Sequence, residues 1–75
     1  MPHEIDVFID QRPYRIAQGK YTGSQLKGIA SVPPGNLLFR VDGPNRQEIG
    51  DSEEVEVHPN EHFVSAPPVG GASSR

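Results

Sequence analysis

The side chains that could carry chemistry in this chain are its three histidines, its ten aspartates and glutamates and two serines near the C-terminus. His58 and His62 flank a turn at Pro59, and with His3 and nearby carboxylates they could suggest a metal site. Zinc sites usually take four ligands in fixed geometry. Two histidines around a proline turn fall short of that, so they read as surface residues near sheet edges, and no metal is expected. Glu4, Asp6 and Asp10 could suggest paired carboxylates for acid–base work, but their alternate spacing fits a strand face turned to water. Ser73 and Ser74 have no candidate base held near them, so nucleophilic catalysis is not expected. The chain has no cysteine, which removes thiol nucleophiles, thiolate zinc sites and disulfides, and suits a reducing cytosol.

Seventy-five residues make one small domain and leave no room for a large enzyme with a deep pocket. Seven basic side chains against ten acidic ones give a net charge of −3, the wrong sign for a phosphate-backbone binder. Met1-Pro2-His3-Glu4 lacks a basic and apolar signal segment, and the apolar runs are too short to span a bilayer. The expectation is a cytoplasmic domain that takes neither nucleic acid nor membrane as partner.

The elements that must hold these residues follow from the spacing. Ile5, Val7 and Ile9 share one face of a strand, Asp10-Gln11-Arg12-Pro13 reads as a turn, and Tyr14 to Ala17 returns as the second arm of a hairpin. Thr22-Gly23-Ser24-Gln25 has the form of a capping box, with Tyr21 placed as a hydrophobic staple on Leu26. Leu26, Ile29 and Ala30 form the apolar stripe of a short helix that Val32-Pro33-Pro34-Gly35 ends.

Leu37 to Val41 reads as a strand with Leu37, Phe39 and Val41 inward and Leu38 and Arg40 outward. Asp42-Gly43-Pro44-Asn45 turns the chain, Arg46 to Ile49 is a short strand, Val55 and Val57 alternate with acidic residues, and His62 to Ser65 is the last strand. Leu26, Ile29, Phe39, Val41, Val55, Val57 and Phe63 are the expected core. From Ala66 the Pro-, Gly- and Ser-rich composition predicts a flexible tail, so the domain is placed at 1–65 and the tail at 66–75. A hairpin, one helix and further strands predict an α+β fold of β-grasp type: a mixed four- to five-stranded sheet with one helix packed on one face.

These segments resemble the ubiquitin-like family, and most closely the bacterial single-domain members related to the multiubiquitin domain. Ile5-Asp6-Val7-Phe8-Ile9-Asp10 followed by Tyr14 resembles that domain's I-x-I-D-G-x-x-Y hairpin, and Thr22 to Leu26 its helix start. Val32-Pro33-Pro34 through Gly43 parallels the Ile-Pro-Pro, strand and turn of ubiquitin, and Gly70-Gly71 sits where ubiquitin-like modifiers carry their diglycine. The resemblance covers about residues 4–71.

What the resemblance implies is a protein modifier and not an enzyme. An activating enzyme would adenylate the Gly71 carboxylate and pass it to a cysteine as a thioester, and a conjugating enzyme would transfer it to target proteins. Some bacterial systems of this kind act in antiphage defence. Glycine suits positions 70 and 71 because the tail must thread a narrow channel to its acyl carbon, where a Cβ would crowd the nucleophile. Because Ala72-Ser73-Ser74-Arg75 follows, the Gly71–Ala72 bond is the implied processing site and a peptidase the implied partner.

In the gapless match Arg40 replaces the isoleucine at the centre of ubiquitin's receptor patch, with Leu38 beside it as an exposed contact. Glu54 and Glu56, with Glu53, form an acidic cluster that reads as a solvated face or as a docking patch for a basic enzyme surface. Lys20 and Lys27 are the only lysines; they read as solubilising residues or, if chains form, as acceptors. Two other readings belong to different classes: a noncovalent binding module with an idle tail, and a sulfur carrier whose terminal glycine becomes a thiocarboxylate.

Overall fold

The computed structural model describes residues 3–68. Strand β1 (Glu4–Ile9) and strand β2 (Arg12–Ala17) form the expected hairpin, paired in register from Glu4↔Ala17 to Ile9↔Arg12. Asp10 and Gln11 make the whole turn, at φ of 53° and 71°. Positive φ at both central residues is the type I′ pattern whose twist suits a two-residue hairpin. The turn is therefore shorter than the sequence suggests, and Arg12 and Pro13 belong to β2.

A three-residue strand that the sequence reading lacks, β3 (Lys20–Thr22), leads into helix α1 (Gly23–Ile29). The capping box forms as expected: Gln25 N–H donates to Thr22 Oγ1 at 3.1 Å, and Thr22 N–H donates to Gln25 Oε1 at 2.8 Å. The helix closes on a Schellman motif, with Val32 N–H bonded to the Lys27 carbonyl and Ser31 N–H to that of Gly28. Ser31 takes the left-handed position usual for glycine, at φ 57°.

Strands β4 (Leu37–Asp42) and β5 (Asn45–Ile49) form a second hairpin around Gly43-Pro44, with Gly43 at φ 62°. Strand β6 (Glu54–Glu56) pairs with β3, and β7 (His62–Ala66) lies between β1 and β4. The main sheet has the order β2-β1-β7-β4-β5, mixed because β1 and β7 run parallel. The last strand reaches Ala66, one residue past the expected domain end, through its pairing with Leu37.

One sheet face and the helix enclose a core of Ile5, Val7, Ile9, Ile16, Leu26, Leu38, Ile49, Val57 and Phe63. Tyr21, Ile29, Ala30 and Val55 pack on it half-buried. A Cβ on Gly23 would lie 2.4 Å from the Gly50 carbonyl oxygen, so glycine is what lets the loop after β5 close over the start of the helix. Gly23 and Ser24 donate their N–H groups to the Glu53 and Asp51 carbonyls of that loop.

The outer edge of β2 is blunted. Phe8 and Asp10 donate their N–H groups to β7 and its preceding loop, and Gln18 donates to His3. By the alternation of an antiparallel ladder, Pro13, Arg15 and Ala17 therefore turn their backbone groups outward. Pro13 has no donor to offer there, and the Ala17 carbonyl accepts from the Tyr21 hydroxyl at 2.5 Å.

Candidate functional site

The base of the tail is fixed from both sides. Asp10, held at positive φ by the hairpin turn, aims its carboxylate at β7: Ser65 N–H donates to Oδ1 at 2.7 Å, and the Ser65 hydroxyl donates to Oδ2. On the other side Ala66 pairs with Leu37. The chain then passes into exposed Pro67-Pro68, a pair that favours extended backbone. Gly70, Gly71, Ala72, Ser73 and Ser74 lie outside the described residues.

The β4 faces are the reverse of the sequence reading. Leu38 is fully buried, so it is not an exposed partner contact. Arg40 shares its inward face: Nε lies 3.0 Å from Glu61 Oε2 as an ion pair, Nη2 donates to the Glu56 carbonyl, and the guanidinium sits 5.9 Å from the centroid of Phe63. These contacts let an arginine roof one end of the core, its stem apolar and its charge paired with Glu61, while the buried Nε itself makes no hydrogen bond. Because side chains alternate strictly along a strand, placing Leu38 and Arg40 inside turns Leu37, Phe39 and Val41 out.

The helix-free face of the sheet consequently carries an apolar stripe. Val41 lies opposite His62 and Phe39 opposite Val64 across the β4–β7 pair, and Phe8 stacks on His62 at 4.7 Å. Phe8, Phe39, Val41 and Val64 are half-exposed. Phe39 and Val41 were expected in the core. The stripe was missed because both parities of Leu37 to Val41 contain large apolar residues.

Glu54 and Glu56 are exposed on β6, opposite Thr22 and Lys20. Glu53 instead serves its own loop, accepting from Gly50 N–H at 3.1 Å. The two lysines part company. Lys20 is exposed, whereas Lys27 is buried, donating to Asp51 Oδ1 at 2.6 Å and to the Pro34 carbonyl at 3.3 Å. Lys27 is thus a fold-holding residue and not a solubilising one.

The other candidates stay apart. Asp6 pairs with Arg15 at 3.2 Å on the solvent face, and this hydrogen bond, reinforced by the charges of Asp6 and Glu4, raises the Arg15 guanidinium above its ordinary pKa. A hollow of about 320 Å³ lies between Arg12, Tyr14, Ala30 and Pro33, and the Asp10 carboxylate on its rim is already engaged by Ser65. Among the described residues no group of three His, Cys, Asp or Glu side chains is placed to hold a metal ion, and no helix is long and apolar enough to cross a membrane.

A mixed β2-β1-β7-β4-β5 sheet, with one short capped helix over its inner face and a β7 that hands the chain to a terminal segment, defines a ubiquitin-like domain. The Multiubiquitin family model matches residues 5–67, and the chain belongs to that family. Neither the curated proteins nor the solved structures compared with it give a match.

Proposed function

We propose that this protein is the precursor of a ubiquitin-like modifier. A peptidase hydrolyses the Gly71–Ala72 bond, adding water across it so that Gly71 gains a free carboxylate. An adenylating enzyme joins that carboxylate to AMP from ATP with release of pyrophosphate. An enzyme thiolate then displaces AMP, and a nucleophile on the target displaces the thiolate. The chain is a passive substrate throughout, because it has no cysteine of its own to carry the acyl group. Its partners are the peptidase, the activating enzyme, the conjugating enzyme and the targets, met in a reducing cytosol, with antiphage defence as one setting.

The observation that carries this reading is the order of parts. A ubiquitin-like domain of the Multiubiquitin family ends in a strand anchored through Asp10 and Ser65, followed in sequence by Pro67-Pro68 and then Gly70-Gly71. Within this reading the stripe of Phe39, Val41 and Val64 is the surface that partners recognise, and Glu54 and Glu56 steer a basic enzyme face toward it. Intact mass of the protein, expressed beside its neighbouring genes, tests the proposal. Loss of Ala72 to Arg75 supports it. An unchanged mass with the peptidase present and active rejects it.

The apolar stripe also supports a second reading, a noncovalent binding module. Gly71→Phe separates the two: a modifier loses its covalent products, and a binding module keeps its partner.

A further inference from the structure

The two edges of the main sheet differ. While β2 is blunted by Pro13 and Tyr21, β5 is open. Asn45, Arg46, Gln47 and Glu48 are all exposed. The two-residue Gly43-Pro44 loop makes Asp42↔Asn45 a hydrogen-bonded pair, and alternation then bonds Arg40↔Gln47 and Leu38↔Ile49. The N–H and C=O groups of Arg46 and Glu48 therefore face away from β4. Among the described residues, neither residue forms an ion pair or a side-chain hydrogen bond.

The geometry points to β5 as a self-association edge whose occupant is the β5 strand of a second copy, antiparallel and centred on Gln47. That register sets Arg46 opposite Glu48 of the partner copy, and Glu48 opposite its Arg46. Both are outward-facing pairs that exchange their N–H···O bonds, and each joins opposite charges on the open face. Gln47 meets its own copy on the axis, on the helix side, where two amides can bond each other.

The neighbouring registers fail for stated reasons. Centring on Arg46 opposes two arginines and sets Glu48 against Pro44, which has no N–H. Centring on Glu48 opposes two carboxylates and needs the Gly50 N–H, already given to Glu53 Oε1. A shift by one residue sets outward groups against inward ones and makes no bonds. In the Gln47 register the apolar stripes of both copies stay on one face, and the two β7 ends at Ala66 leave from opposite ends of the joined sheet.

Edge pairing buries less than the roughly 1,200 Å² of a standard interface, so association on the order of 0.1–1 mM is expected. Sedimentation equilibrium and amide NMR of the full chain, from about 10 µM to about 2 mM, test it over that range. Concentration-dependent shifts centred on Arg46 and Glu48 are the expected result. Arg46→Glu and Glu48→Arg should each weaken association roughly tenfold or more, because like charges then face each other. An equimolar mixture of the two variants should regain it, since both cross-strand pairs are complementary again. Glu48→Pro should abolish association while leaving the fold intact, because that N–H takes no part in the β4 ladder. A chain that stays monomeric throughout, a dimer indifferent to the charge reversals, or shifts centred on the apolar stripe would each overturn the inference.

Discussion

The Lys27 side chain is 7% exposed, whereas the side chain of Asp51, whose carboxylate holds its ammonium at 2.6 Å, is 63% exposed. The two halves of this ion pair are therefore unequal. Asp51→Ala leaves a buried cation with only the Pro34 carbonyl, and it should destabilise the domain by about 1–3 kcal/mol. Lys27→Met keeps the volume and leaves a carboxylate that water can solvate, so it should cost less, below about 1.5 kcal/mol. Urea unfolding of the two variants checks the order. Equal losses would mean that the pair acts as an ordinary surface bridge.

The same burial separates the lysines chemically. A limiting amount of an amine-acylating reagent should modify Lys20 readily and Lys27 far more slowly in the folded protein, with the difference gone in denaturant. Peptide mass mapping reads it directly. Any lysine-linked chain of this protein would then have to run through Lys20.

Three single-residue changes around the helix should differ in sign. Gly23→Ala drives a Cβ into the Gly50 carbonyl and should cost about 1–3 kcal/mol. Gly28→Ala meets nothing within 4 Å and should stabilise by about 0.4–1 kcal/mol through the unfolded chain. Ser31→Gly relieves a side chain held in the left-handed region and should stabilise by about 1 kcal/mol. Thermal midpoints of the three variants, compared with the parent, test all of these.

Along β4, Leu38→Ala should cost about 2–5 kcal/mol, because the side chain is fully buried. Phe39→Ala, on the half-exposed face, should cost less and act mainly on partner recognition. If Phe39→Ala is the more damaging to stability, the assignment of the two faces is wrong.

That strand also shows how far the sequence could be read. The first hairpin, the capping box and the helix were legible because their signals are local: period-two apolar residues, Thr22 with Gln25, and Pro33-Pro34. The β4 faces were not, since Leu37 to Val41 is apolar at both parities and the one charge in it points to the wrong face. Arg40 is tolerated inside because Glu61, the Glu56 carbonyl and the Phe63 ring come to it from remote parts of the chain. Strand β3 gave no periodic signal, as three residues are too few to show one. On the site, Gly70-Gly71 could be picked out by position alone, whereas the apolar stripe needed the strand register.

Pro13 and the Tyr21 hydroxyl carry a consequence for assembly. A sheet with two receptive edges can add copies without limit and grow into a fibre. Here one edge is blunted by a missing donor and an occupied carbonyl, so a copy that joins through β5 presents only that blunted edge to the next arrival. Assembly by edge pairing then terminates at a closed pair. That termination rests on two residues, one in β2 and one in β3.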